Sequence, residues 1–74
     1  MNKAEWLKEL TIGLERQTGT TGIRFGTQTE LMRVLGYRDA KHFKKTFLAD
    51  VEPVVEKKYS IRDFVDANYG RKLL

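Results

Sequence analysis

Seventy-four residues make one small domain with a thin core, since a chain of this size buries only about 60–65% of the surface its unfolded form exposes. At 41% hydrophobic and 32% charged it has the composition of a folded globular chain, and with no cysteine it has neither disulfide staples nor thiolate metal sites. Fourteen Lys and Arg against ten Asp and Glu leave a net charge of +4, no apolar run reaches the roughly 18 residues of a membrane span, and the acidic N-terminal stretch lacks the apolar segment of a signal peptide. A single domain over residues 1–74 in a reducing cytoplasm is the expectation, with no membrane association.

In chain order, residues 3–16 carry Trp6, Leu7, Leu10 and Leu14 on one face at the helical period, with charges elsewhere. Gly13 costs up to ~1 kcal/mol inside a helix and predicts an early fraying of its last turn. The face reads as core, with a dimerising helix, suggested by Trp6 and the off-stripe Ile12, as the alternative. Thr18-Gly19-Thr20-Thr21-Gly22 is a loop. Ile23, Arg24 and Phe25 alternate apolar and basic and predict a short strand.

Thr27-x-x-Glu30 is a capping box ahead of the stripe Leu31, Val34 and Leu35, and Gly36 suits the left-handed position that closes a helix. After a turn holding Tyr37 and Arg38, Asp39 caps a further helix in which Ala40, Phe43 and Phe47 share one face. Arg38, Lys41, His42 and Lys45 lie opposite, with Lys44 on the flank. Pro53 ends helical structure. Val54 and Val55, a turn at Glu56 and Lys57, and a return through Lys58 and Tyr59 predict a short hairpin with Lys57 and Lys58 at its tip, and residues 23–25 offer a third strand. Ser60-x-x-Asp63 opens the last helix, whose stripe is Ile61, Phe64 and Val65. Tyr69 stands near its end, Gly70 stops it, and a frayed tail follows over residues 71–74.

The charge is local. Residues 38–45 hold Arg38, Lys41, Lys44 and Lys45 against Asp39, four against one and so +3, whereas residues 1–16 balance to zero. His42 is the only histidine and sits among lysines, and no phosphate loop or paired-carboxylate constellation occurs. Asp63 and Asp66 read as a solvated helix face. An enzyme and a cofactor are therefore not expected.

A helix held from behind by phenylalanines and fronted by cations fits a major groove about 12 Å wide. Arg38, Lys41, His42, Lys44 and Lys45 are the candidate contacts from the helix, with Lys57 and Lys58 on the adjacent groove or backbone. Tyr37 reads as a core-edge aromatic, with a contact of its hydroxyl to the DNA backbone as the alternative, and Tyr59 reads as core. Among the cations, Lys41, Lys45 and Arg38 are the firmest candidates.

The run T-E-L-M-R-V-L-G-Y, the basic second helix, the short hairpin and K-K-Y-S-I-R-D-F together resemble the excisionase and MerR-type winged-helix group, over residues 25–68. The resemblance implies an α+β, mainly helical winged helix-turn-helix, in the order helix-strand-helix-helix-strand-strand-helix. It also implies a small non-enzymatic protein of a phage or integrative element that binds double-stranded DNA, often cooperatively and in several copies. Such proteins bend DNA and direct a partner integrase, a recombinase, toward excision. MerR regulators add a dimerising coiled coil and an effector domain, which this chain does not show. It differs from the shorter excisionases in its leading helix and strand, so a small transcriptional regulator stays open, and no integrase contact maps onto a residue. A separate reading is a protein-interaction module on the same scaffold, with Trp6, Ile12, Leu73 and Leu74 as its contact surface.

Overall fold

The computed structural model describes residues 2–70, an α+β, mainly helical arrangement of four helices and a two-stranded antiparallel sheet. The predicted tail over residues 71–74, with Leu73 and Leu74, lies outside the described residues.

Helix α1 (Lys3–Thr18) opens on a capping box: Asn2 Oδ1 accepts from the Glu5 amide at 2.8 Å, and Glu5 Oε1 accepts from the Asn2 amide at 3.3 Å. Trp6, Leu10 and Leu14 are buried, as their spacing predicts. The helix does not fray after Gly13 but continues to Thr18 and closes at Gly19, φ 72°. Gly13 is there for packing. A Cβ on it would lie 2.9 Å from Val34 Cγ1, so the missing side chain lets α1 approach α2, and that contact offsets the poor helix propensity.

Strand β1 (Phe25–Thr27) lies two residues later than residues 23–25, the predicted strand. Its centre, Gly26, is buried against Leu14 and Leu31, so the strand packs under α1 in a position that alternation alone misplaces. β1 pairs antiparallel with β2 (Lys58–Ser60), Gly26 opposite Tyr59 and Thr27 opposite Lys58. The first arm of the expected hairpin, Val54 and Val55, contracts to a single bridge between Val55 and Lys58. The Val54 amide donates to Lys58 O and the Lys58 amide to Val55 O, both at 3.0 Å, and Glu56 and Lys57 form the turn. Pro53 supplies no N–H, and the valines stay half exposed, so no core burial lengthens this arm.

Helix α2 (Gln28–Leu35) has the predicted box, Glu30 amide to Thr27 Oγ1 at 3.2 Å and Thr27 amide to Glu30 Oε1 at 2.9 Å. It ends on Gly36, φ 78°, with the Tyr37 amide bound to Met32 O at 2.9 Å. Helix α3 (Ala40–Phe47) is capped by Asp39, whose Oδ1 accepts from the His42 amide at 3.0 Å. Helix α4 (Ile61–Asn68) is capped by Ser60, and Gly70 follows it at φ 73°.

The core is a line of rings with leucines beneath. Phe43 stacks on Phe64 with centroids 6.0 Å apart, Phe64 meets Trp6 at 6.3 Å, and Trp6 meets Tyr69 at 5.9 Å. Leu14, Leu31, Ile61 and Val65 fill the space between the helices. Each such side chain contributes about 1.5–3 kcal/mol of transfer free energy. Trp6 is only 9% exposed, so it is core rather than a free contact surface.

Candidate functional site

Helix α3 presents two unlike faces. Phe43 and Phe47 are buried, whereas Lys41, His42, Lys44 and Lys45 are exposed. Ala40, expected on the apolar face, is exposed as well, because it opens the helix where the chain has just left the core. No carboxylate occurs within α3, so its lysines have no oppositely charged partner on their own helix. Lys41 and Lys45 stand one turn apart. Arg38 is exposed just before the Asp39 cap.

Three contacts fix the orientation of α3. Tyr37, half buried in the turn between α2 and α3, sets its ring edge-on to Phe47 at 4.8 Å and 5.6 Å from Phe43, the core-edge role its sequence position suggests. Gln28 Nε2 donates to Ala40 O at 2.8 Å and ties the first turn of α2 to that of α3. At the far end, the fully buried Asn68 donates through Nδ2 to Phe47 O and to Phe64 O, each at 2.8 Å, joining the end of α3 to α4. His42 rests edge-on to Phe47 at 6.4 Å.

Lys44 and Lys57 come together. With Thr27, Gln28, Thr29 and Tyr59 they line a groove of about 450 Å³ between α3, the first turn of α2 and the hairpin. The lining thus sets two lysines beside the first turn of α2, where the helix dipole is positive. Lys57 occupies the hairpin turn, as expected. Lys58 does not: it lies off the tip, in β2 opposite Thr27, because the bridge to Val55 already includes it. Tyr59, expected in the core, is half buried and shows one side to the groove.

Gln28, Thr29 and Asn68 belong to this site without having been singled out in the sequence. Asn68 left a readable signal, a polar residue at i+7 on the stripe that Ile61, Phe64 and Val65 begin. Gln28 left none, since its partner is a carbonyl twelve residues away. Among the described residues no three His, Cys, Asp or Glu side chains gather into a cation site, and no helix is long and apolar enough to cross a membrane.

Compared with protein-family models, curated proteins and solved structures, the chain gives no match.

Proposed function

We propose that this protein binds double-stranded DNA, with α3 as the recognition helix of a winged helix-turn-helix and the hairpin as its wing. The observation that carries the reading is the division of α3 into a buried phenylalanine face and a cationic face free of carboxylates. The groove shared by Lys44, Lys57 and the α2 N-terminus supports it, because it puts helix and hairpin charges on one side of the molecule. Lys41, Lys45 and Arg38 contact base edges or phosphates, His42 and Lys44 flank them, and Lys57 meets the neighbouring backbone. Lys58, in the strand, is the most peripheral contributor.

The biological role rests on the resemblance over residues 25–68: a non-enzymatic accessory factor of a phage or mobile element, excisionase-like, acting beside a recombinase. A single helix and a short wing make a small interface, so tight binding calls for several copies or a partner on the same DNA.

An amide NMR titration with a short generic duplex tests the DNA reading. Shifts should cluster on residues 38–46 and 57–58 at low salt and fade as salt rises between roughly 50 and 200 mM. The double substitution Lys41→Glu and Lys45→Glu should abolish them while the protein remains folded. A folded wild-type protein whose spectrum ignores the duplex would refute the reading.

A further inference from the structure

Among the described residues the large apolar side chains left open to solvent are Phe25, Val54 and Val55, at 41%, 50% and 55% exposure. They form two patches. Phe25 borders a cleft of about 510 Å³ between α1, β1 and the start of α4. Leu7, Ile23 and Ile61 give it apolar walls, Arg24 and Arg62 are exposed beside them, and no carboxylate lines it. The Ile61 amide donates to Arg24 O at 3.0 Å, which holds the two arginine-bearing segments side by side. Asp66, four residues beyond Arg62 on α4, is engaged by Lys3 at 2.7 Å.

The second patch has the complementary composition. Residues 52–56 read Glu-Pro-Val-Val-Glu, all exposed, with two valines held between two carboxylates and an extended start imposed by Pro53. One patch is an apolar slot bearing two guanidinium groups, and the other is an apolar pair bearing two carboxylates. They also lie apart. β2 is flanked by β1 on one side and bridged by Val55 on the other, so the patches occupy opposite edges of the sheet and a chain cannot fill its own cleft.

We propose that the cleft accepts residues 52–56 of a second copy of this chain, Val54 and Val55 entering against Phe25 while Glu52 and Glu56 pair with Arg24 and Arg62. The contact is heterologous, each copy offering one donor segment and one acceptor cleft, so it propagates head to tail rather than closing as a twofold dimer. Its small area makes it a weak association that depends on concentration. It requires no nucleic acid and stands or falls separately from the DNA reading.

The test uses the full chain without DNA. Sedimentation velocity and amide spectra are recorded from about 0.05 to about 1 mM, the range in which a weak contact fills. The average mass should rise with concentration, and shifts should centre on residues 23–25, 61–62 and 52–56. The variants Arg24→Glu/Arg62→Glu and Glu52→Lys/Glu56→Lys each place like charges across the contact and should weaken self-association by about tenfold or more. All four side chains are exposed, and circular dichroism checks that both variants fold. Mixing the two variants one to one should restore association, since the native cleft of one then faces the native segment of the other. A wild-type chain that stays monomeric throughout would overturn the proposal. So would variants that associate as the wild type does, or a mixture that does not recover.

Discussion

Lys57 has a positive φ of 60°, a conformation that among the described residues it shares only with glycines. A side chain there costs about 1–2 kcal/mol relative to the right-handed region, and glycine removes most of that strain. The hairpin therefore holds a cation where glycine fits the turn better, in the groove that Lys44 also lines. Lys57→Gly should raise stability by about 0.5–1 kcal/mol in a urea titration, after allowing for the unfolded-state entropy of glycine. On the DNA reading the same variant should bind a duplex more weakly. Unchanged duplex affinity would remove Lys57 from the interface, whatever the stability. That Lys57 sits in a turn was legible from Pro53 and the Val-Val-Glu-Lys run. Its left-handed backbone was not, because lysine gives no hint of it and the closing of Lys58 on Val55 imposes it.

At the scale of elements, helix starts were the most legible feature. Thr27 with Glu30, Asp39 and Ser60 all cap as their spacing predicts, since a cap is settled within three or four residues of chain. Gly13 shows the opposite case. Local propensity predicts a frayed turn, yet the reason for the glycine is Val34, on another helix. Gly13→Ala should thus destabilise the fold by about 1–2 kcal/mol even though alanine is the better helix former. Val34 is β-branched and largely confined to one rotamer in a helix, so it yields poorly to the new methyl. In a double-mutant cycle Gly13→Ala with Val34→Ala should be less destabilised than the sum of the single variants, by about 1 kcal/mol. Additive effects would show that the two helices are not in tight contact at this point. The shift of β1 is likewise a matter of distant contacts: alternation points to residues 23–25, whereas the strand observed is centred on Gly26, buried against Leu14 and Leu31.

For the molecule as a whole, one aromatic line does much of the joining. Tyr37, Phe47, Phe43, Phe64, Trp6 and Tyr69 run from the α2–α3 turn through α3 and α4 to the start of α1. Phe64, fully buried at its middle, touches rings from both α1 and α3. Phe64→Ala should cost about 3–5 kcal/mol, comparable to the whole stability of a domain this small. A thermal scan followed by circular dichroism should find that variant largely unfolded at 25 °C. A cooperative melt close to that of the wild type would mean the core redistributes its load better than this line suggests. The cationic face of α3 depends on the same packing, because Phe43 and Phe47 can turn it outward only while Phe64 and Tyr37 hold them.

The sequence by itself determined where the helices begin, which face of each is apolar, that a basic helix follows a glycine-closed one, and that a hairpin carrying Lys57 comes after it. These follow from interactions within about four residues or from the 3.6-residue period, both of which are written along the chain. Only the tertiary structure decided the register of β1, the purpose of Gly13, the burial of Trp6, and the joining of α3 to α2 and α4 through Gln28 and Asn68. It alone brought Lys44 and Lys57 to one groove and left Phe25 and the two valines open on opposite sheet edges. Each of these is a contact between residues far apart in sequence, where steric fit and hydrogen-bond partners arise only once the helices have packed.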